Sequence, residues 1–263
     1  MSAARDGGPP WWMAPVLGAV GGAVDAAGFL FLFGLFTAHL SGNTTGFGVA
    51  VGTADWQDAA KRLFMIPVFV ASTAAGVAVS ESMLRRDGSR AGRARALWAL
   101  LAVETVLVVV FAASASTIGA RADFAVDTAA FFFIGSVAAM AMGVQNAALR
   151  RVSGLAVHTT FVTGQLTEAA VSFVHWRHAS GALRRGSSRA DRAALVADRD
   201  AARRSFDLAV AVWCAYLAGG IASAWSVVNV SRWIVLVPAA VIAATAASIA
   251  RAGRVPATSS AAS

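Results

Sequence analysis

Charged residues are scarce in this chain of 263 residues: they make up 14% of it, against 57% hydrophobic residues, and the mean hydropathy is +0.64. Ordinary soluble domains carry about a quarter charged residues. The scarcity therefore argues against that class and indicates an integral membrane protein. The single cysteine, Cys214, excludes a disulfide framework and a multi-cysteine metal site, and we interpret it as a small buried hydrophobic residue.

Enzyme signatures are missing as well. The sequence has no nucleotide-binding loop, no nucleophile triad and no phosphate-binding glycine turn after a strand, so we expect neither an enzyme nor a cofactor. The histidines show no metal-ligand spacing with a carboxylate, so no metal site is predicted. The net charge of +8 would suit a nucleic-acid partner only with the arginines on one folded face. They lie mostly between apolar runs, which predicts a lipid bilayer as the partner and no nucleic acid.

Long apolar runs are what the chain does have. Six of them approach or exceed the roughly 20 residues of helix that cross a bilayer: 15–36, 63–84, 96–116, 129–149, 206–227 and 233–250. The predicted fold is an all-α polytopic membrane helix bundle with one transmembrane domain over 14–250. A polar tail, 1–13, precedes it, and a tail rich in Ser, Ala and Thr, 251–263, follows and is expected to be disordered.

Two polar, glycine-centred breaks interrupt the apolar sequence. The first reads Phe-Thr-Ala-His-Leu-Ser-Gly-Asn-Thr-Thr over 36–45, and the second reads His-Thr-Thr-Phe-Val-Thr-Gly-Gln-Leu-Thr over 158–167. The apolar runs behind them are too short to cross a bilayer alone. We therefore predict broken or re-entrant segments over 37–52 and 158–175, with an eight-span bundle as the alternative.

Arginine distribution predicts the orientation. Loop 85–95 holds five arginines against one aspartate, and loop 177–204 holds eight against three, so both are placed in the cytoplasm. A crossing at 158–175 would strand the second loop outside, which favours re-entry there. The first break then dips from the outside, and both termini are cytoplasmic in a multi-pass protein of the cell membrane. Lys61 and Arg62 fit this orientation poorly, although Asp55 and Asp58 offset them.

The two halves of the chain, 14–116 and 129–250, share a degenerate pattern. Gly22–Ala27 aligns with Gly143–Ala148, which sets Asp25 opposite Asn146. With one inserted residue, Ser-Gly-Asn at 41–43 aligns with Thr-Gly-Gln at 163–165. Three spans per half make the second half start on the opposite side of the membrane. Such an inverted repeat is a common plan of transporters, whose sites lie between the repeats near the midplane.

The same motifs carry a resemblance. Val-Asp-Ala at 24–26 followed by His-Leu-Ser-Gly-Asn-Thr at 39–44, and Met-Gly-Val-Gln-Asn-Ala-Ala at 142–148 followed by Thr-Thr-Phe-Val-Thr-Gly at 159–164, are similar to the YoaK-like family of bacterial membrane proteins. The resemblance extends over about 15–250. It implies a polytopic inner-membrane protein from a family of unknown function, with no established substrate.

Two carboxyl groups inside predicted spans are candidates for proton relay. Asp25 lies near the middle of the first span, where a charge costs about 2.5–3.5 kcal/mol on insertion scales. It is a proton carrier, a cation ligand, a partner of His39, or a hydrogen-bonded staple between helices. Glu104, in the third span, is the second candidate, with pairing to a snorkelling arginine as the alternative. For His39, in the first break, the alternatives are a site residue that exchanges protons and a hydrogen-bonded structural residue.

The breaks suggest helix starts inside the membrane. Ser41 and Thr163 are predicted N-caps, and Gly42 and Gly164 permit turns. The free N–H groups of a helix start favour an anion or a carboxylate, although Glu168 argues against a purely anionic ligand. Ordinary helix-packing contacts are the alternative. The predicted substrate-binding set is Asp25, His39, Ser41, Gly42, Asn43, Gln145, Asn146, Thr163, Gly164 and Gln165.

The function that follows is a small secondary transporter or exporter, with a polar site at the interface of two repeats. Its partner is an unidentified small solute, with proton coupling as one option. A membrane scaffold or assembly partner that uses its polar residues only for helix packing is the alternative. A channel is a third option, although a selectivity ring needs an oligomer, and homo-oligomerisation stays open.

Overall fold

The computed structural model describes residues 10–121, 123–126, 128–152, 162–185 and 189–252, and all regular structure in these ranges is helical. In chain order the elements are α1 (Met13–Phe31), α2 (Leu40–Gly52), α3 (Trp56–Arg86), α4 (Arg90–Thr117), α5 (Ala129–Val152), α6 (Val162–Arg184), α7 (Arg189–Asn229), a short 3₁₀ helix (Arg232–Val235) and α8 (Leu236–Ala252).

Six helical stretches are long and apolar enough to cross a membrane: Met13–Phe31, Trp56–Arg86, Arg90–Thr117, Ala129–Arg150, Asp191–Asn229 and Arg232–Arg251. The six predicted spans fall on these six helices. The prediction of an all-α, multi-pass membrane bundle is therefore confirmed. The other two α-helices, α2 and α6, are the elements that follow the polar breaks.

The first span ends earlier than its apolar run suggests. The prediction that it continues to residue 36 is wrong, because α1 stops at Phe31. Phe33 and Gly34 both adopt left-handed backbone conformations, with φ of 52° and 81°, and these reverse the chain. Hydrophobicity alone does not reveal this end, since the turn residues are as apolar as the helix that precedes them.

The six long helices alternate in direction. We call the two ends of the bundle the Phe31 end and the Met13 end. The ring of Phe111, late in α4, lies 6.2 Å from the ring of Phe31, so α1 and α4 run towards the same end. Gln145, late in α5, bonds Leu17 near the start of α1, so α5 runs back.

The last two long helices continue the alternation. Val212 of α7 contacts Gly18 of α1, and Ser223, later in α7, donates to the carbonyl of Ala23, about one and a half turns later in α1. The two helices therefore run parallel. Arg232, behind α7, donates to the carbonyl of Gly119 at the Phe31 end, from which α8 returns. The stretches around Arg85–Arg95, Arg150 and Arg251 consequently lie at the Met13 end.

The helix α2 begins inside the bundle and runs only to its Phe31 end. The backbone N–H groups of Thr37 and Ala38, just before α2, bond the side chain of Asp25 near the middle of α1. The 13 residues of α2 span about 20 Å, and Gly46 of α2 packs against Arg62 near the start of α3. The chain therefore dips to mid-depth and returns to the end it came from.

The helix α6 has the opposite course. It packs antiparallel to α7, with the ring of Phe173 at 5.8 Å and that of Trp176 at 6.4 Å from the ring of Phe206. Since Val212 of α7 lies beside Gly18 near the Met13 end, the start of α6 lies about half-way along the bundle. Residues 158–161 of the predicted segment lie outside the described residues. The predicted end at 175 is wrong, because α6 continues to Arg184.

The predicted loop 177–204 is largely helical. Its first part belongs to α6, and its second part is the beginning of α7, a helix of 41 residues. Alanine and arginine are strong helix formers, and Arg203 pairs with Asp207 one turn later at 3.7 Å. The arginine-rich composition predicts a loop with a short surface helix over 189–204 as one option, and the structure shows that part as the beginning of a helix that continues into the apolar span.

The interpretation of Cys214 as a buried residue is also wrong, since its side chain is exposed on α7. In the apolar stretch of α7 that is long enough to cross a membrane, only 17% lies buried inside the protein, against 67% in the corresponding stretch of α1. The outer face of a membrane helix is apolar because it meets lipid, so an apolar neighbourhood in the sequence does not distinguish the core from the surface.

Candidate functional site

Asp25 accepts four hydrogen bonds in the middle of α1, where it is 3% exposed. Its Oδ1 accepts from the backbone N–H of Thr37 at 2.7 Å, the hydroxyl of Thr37 at 3.1 Å and the backbone N–H of Ala38 at 2.8 Å. Its Oδ2 accepts from the hydroxyl of Tyr216 at 2.6 Å. The carboxylate thus joins α1, the first break and α7.

This set of donors suits an ionised carboxylate, which accepts and does not donate. Protonation would replace one acceptor position by an O–H that faces other donors. His39 was one predicted partner of Asp25, but its ring lies beside the ring of Phe36, with 5.4 Å between the centroids. Of the roles predicted for Asp25, this arrangement matches the hydrogen-bonded staple between helices.

Asn43 fixes the conformation of the first break. It is fully buried, its Nδ2 donates to the carbonyl of Phe36 at 2.6 Å, and its Oδ1 accepts from the N–H of the same residue at 3.1 Å. Both polar groups of one residue in the irregular segment are thereby satisfied by one side chain. This contact explains why an amide stands at position 43, where a hydroxyl is too short to reach both groups.

The predicted cap and turn roles in this break are wrong. The helix α2 begins at Leu40 with His39 at the N-cap position, and no side chain caps it, so Ser41 lies within the first turn and is exposed. Gly42 is helical as well. A methyl group at Gly42 would lie 2.9 Å from the ring of Phe36, so glycine is required there for close packing and not for a turn.

The second break follows the same pattern where it is described. The helix α6 begins at Val162, so Thr163 is not its N-cap. Thr163 and Gly164 are exposed in the first turn, whereas Gln165 is buried, 5% exposed. Residues 153–161, which include the beginning of the second break, lie outside the described residues.

Gln145 and Asn146 are buried side by side on α5. The Nε2 of Gln145 donates to the carbonyl of Leu17 at 2.5 Å, and the amide lies against Gly21 of α1. The Oε1 of Gln145 and the Oδ1 of Asn146 are buried and have no hydrogen-bond donor in the described part of the chain. Unpaired buried oxygens are rare in proteins and call for an explanation.

Glu104 is fully buried on α4, and neither of its oxygens has a donor within the described ranges. It shares the buried face of α4 with Leu97, Leu100, Leu101 and Val108. The predicted pairing with a snorkelling arginine is not found among the described residues. Glu104 is thus unlike Asp25, whose oxygens are both satisfied.

These polar residues lie at nearly one depth. Asp25 precedes Phe31 by six residues and Glu104 precedes Phe111 by seven, and the rings of Phe31 and Phe111 are neighbours, so the two carboxyl groups lie within a few Å along the bundle axis. Gln145 reaches Gly21, about one turn from Asp25. We call Asp25, Glu104, Gln145, Asn146 and Tyr216 the polar layer.

The sequence pattern does not identify Thr37 and Tyr216 as residues of the candidate site. Tyr216 is the only tyrosine of the chain and stands inside an apolar span, which is a usable signal for a buried hydrogen-bond donor. Thr37, fully buried, looked like any other hydroxyl of the break. Its role depends on the chain reversal at Phe33, which brings it back to Asp25.

The cations that fit the predicted orientation poorly have structural partners. Lys61, 7% exposed, donates to the carbonyl of Phe33 at 3.0 Å and pairs with Asp58 at 2.7 Å. Arg62 pairs with Asp58 at 2.6 Å and packs on Gly46 of α2. The three charged residues tie the chain reversal and α2 to α3.

Two of the surface grooves in the described structure show how the polar layer relates to the surface. The smaller one, at the Phe31 end, has a volume of about 120 Å³ and is lined by residues between Ile118 and Ala130. The larger, about 450 Å³, runs along α3 from Phe69 to Glu81 and ends at Arg150. Neither is lined by a residue of the polar layer, although the larger one includes Thr73 beside Gly143 of α5.

Comparison with known proteins gives a family and no function. A family model described as "Protein of unknown function (DUF1275)" matches residues 13–248, nearly the whole described bundle. This match agrees with the resemblance to the YoaK-like family. No curated protein and no solved structure matches the chain.

Proposed function

This chain belongs to the DUF1275 family of proteins of unknown function, and we propose that it is a small secondary transporter or exporter. The observation that carries the proposal is the pair of helices α2 and α6, which begin half-way along the bundle and run to opposite ends. Helices that start within the bundle are typical of transporters, where they border the solute site.

The packing of the helices supports an inverted repeat as part of this proposal. Under the alignment of Gly22 with Gly143, the helices α1 to α4 correspond to α5 to α8. Gly22 lets α1 touch α7, because a methyl group there would overlap the carbonyl oxygen of Tyr216. Gly143 lets α5 touch α3, because a methyl group there would overlap the hydroxyl of Ser72. Corresponding helices thus cross at corresponding glycines.

The helices α2 and α6, which follow the two breaks, show the same correspondence. The helix α2 packs on α3, and α6 packs on α7. Asn43 and Gln165, aligned in sequence, are both buried, whereas Ser41 and Thr163 are both exposed. The polar layer lies between the two halves, where a solute site is expected.

Within the proposal, Asp25 controls the first break. As a carboxylate it holds Thr37, Ala38 and Tyr216 together, and its protonation would weaken these contacts and free the break to move. This role accommodates proton coupling. The arginine-rich Met13 end is the cytoplasmic side under the proposal, which places both termini in the cytoplasm of a cell-membrane protein.

Reconstituted vesicles test the proposal. The purified protein is placed in proteoliposomes that contain a pH-sensitive dye and carry a pH gradient, and a solute library is added outside. We expect at least one solute to cause a proton flux in the wild type. Asp25→Asn should lower that flux at least tenfold while the protein stays folded, because the amide cannot exchange a proton.

Ser41→Ala is the matched control, since Ser41 is exposed on α2 and should leave the flux unchanged. Absence of any solute-dependent flux, together with a loss of thermal stability in Asp25→Asn, would contradict transport. That result would favour the second candidate, a membrane scaffold or assembly partner. The observation that favours a scaffold is that all four hydrogen bonds of Asp25 tie α1 to the first break and to α7.

A further inference from the structure

The unpaired buried oxygens of the polar layer are all acceptors. They are the two carboxyl oxygens of Glu104, the Oε1 of Gln145 and the Oδ1 of Asn146. In the described part of the chain the other unpaired buried side-chain oxygens are the hydroxyls of Thr73 and Ser116, which donate as well as accept. A proton on Glu104 supplies one O–H donor, so the unpaired acceptors of the layer still outnumber its unpaired donors.

Helix geometry places these acceptors at similar depths in the bundle. Leu100, one turn before Glu104 on α4, meets Gly76 of α3 together with Val144 and Ala147 of α5. Because α4 and α5 are antiparallel, Glu104 lies about one helical turn, or about 5–6 Å along the axis, from Gln145 and Asn146. The distance along the axis is therefore within the length of a Glu or Gln side chain.

No charged side chain neutralises Glu104 from the helices packed on it. Those elements are α3, α5, α8 and the 3₁₀ helix. The central parts of the three long ones, residues 63–80, 129–149 and 236–250, contain no Asp, Glu, Lys, Arg or His. The 3₁₀ helix holds Arg232, which bonds the carbonyl of Gly119 and faces the ring of Phe31.

An ionised carboxyl group in such surroundings has an uncompensated charge, which burial penalises so strongly that the group takes up a proton. Asp25 is at the same depth but already has four donors. Of the two buried carboxyl groups, Glu104 is therefore the one whose oxygens have no donor within the described ranges and can accept hydrogen bonds from a ligand. This reverses the order in which the sequence ranked them.

We propose that Glu104, with the amide oxygens of Gln145 and Asn146, forms a site that exchanges one proton for one cation bearing N–H donors. The inference rests on the proposed transport function and assigns its solute class. In the exchange the O–H bond of the Glu104 carboxyl breaks, the proton leaves to water, and the carboxylate pairs with the incoming ammonium-type group. The site gains one positive charge and loses one, so its net charge is unchanged.

The chemistry selects against two other classes of solute. An anion would face carbonyl and carboxyl oxygens with no donor to meet it. A quaternary ammonium ion has the charge but no N–H groups, and it leaves the amide oxygens unpaired, which costs free energy in a buried site. A primary ammonium group supplies three donors, enough for the carboxylate and both amides.

Infrared difference spectroscopy on the full-length protein in nanodiscs tests the site without any flux measurement. The wild type at neutral pH should show the carbonyl stretch of a protonated carboxyl group. Methylammonium chloride should remove this band and raise the melting temperature by several degrees. Tetramethylammonium chloride, equal in charge but without N–H groups, should do neither.

Three variants complete the experiment. Glu104→Gln should lack the band and the methylammonium response, and Asp25→Asn should keep the band. Asn146→Leu should keep the band and lose most of the methylammonium response, which tests the site even if Glu104→Gln fails to fold. A band that persists in Glu104→Gln, or equal responses to the two ammonium ions, would overturn the inference. Solute flux that survives Glu104→Gln would overturn this site and leave the transport function standing.

Discussion

The two buried carboxyl groups Asp25 and Glu104 differ in whether other residues satisfy their oxygens. Both positions were singled out because a carboxyl group inside an apolar span is costly. Their surroundings were not predictable. Asp25 is satisfied by a threonine twelve residues later and by Tyr216 from a distant helix, whereas Glu104 has no donor within the described ranges.

Asn43 carries a stability prediction at this scale. Asn43→Ala removes two buried hydrogen bonds to Phe36, each worth about 1 kcal/mol, so we expect a loss of about 2 kcal/mol. Asn43→Asp should cost more, because a buried carboxylate would face the Phe36 carbonyl oxygen. Thermal unfolding in detergent measures both variants. Ser41→Ala is the control and should stay within a few tenths of a kcal/mol, and an Asn43→Asp protein more stable than Asn43→Ala would contradict the assigned contacts.

At the scale of helices, the elements were predicted better than their ends. Six spans follow from apolar length, but the end of α1 depends on the left-handed turn at Phe33 and Gly34. The helical character of 177–204 was underestimated because charge density does not separate a surface helix from a loop. The start of α2 at mid-depth follows from the bond to Asp25, which periodicity does not show.

The helix crossings give a second prediction. Gly22→Ala and Gly219→Ala place a methyl group on a backbone carbonyl oxygen across the α1–α7 contact, so the helices must separate. We expect each variant to lower the melting temperature by at least 5 °C, corresponding to a few kcal/mol of lost packing. Gly48→Ala in α2 meets open space and should be neutral or slightly stabilising, because alanine favours helix. Equal melting temperatures for all three would rule out the close crossing.

At the scale of the whole molecule, the alternating directions of the long helices gather the arginine-rich stretches at the Met13 end. The basic residues at the opposite end have structural partners: Lys61 and Arg62 pair with Asp58, Lys61 also bonds the chain reversal, and Arg232 bonds the carbonyl of Gly119. These positive charges therefore serve structural contacts, and they do not contradict the orientation predicted from the arginine distribution. This explanation requires the side-chain contacts and was not available from counting charges.

Cysteine labelling tests the orientation. In a Cys214→Ser background, Gln57→Cys at the Phe31 end should react with a membrane-impermeant maleimide on intact cells. Ala91→Cys at the Met13 end should react only after permeabilisation, since both positions are exposed and differ in side. The cysteine-free protein is the control for background labelling. The reverse pattern would place the arginine-rich end outside and exclude the proposed topology.

The all-helical, multi-pass architecture and the two polar breaks can be predicted from the sequence, because bilayer thickness and the cost of buried charge act on composition and run length. The same reasoning identifies Asp25, Asn43, Gln145, Asn146 and Glu104 as candidates. Which of these side chains have hydrogen-bond partners depends on the folded bundle, because partners lie on other segments, up to 191 residues away in the pair of Asp25 with Tyr216. Those long-range contacts distinguish the staple at Asp25 from the open acceptors around Glu104.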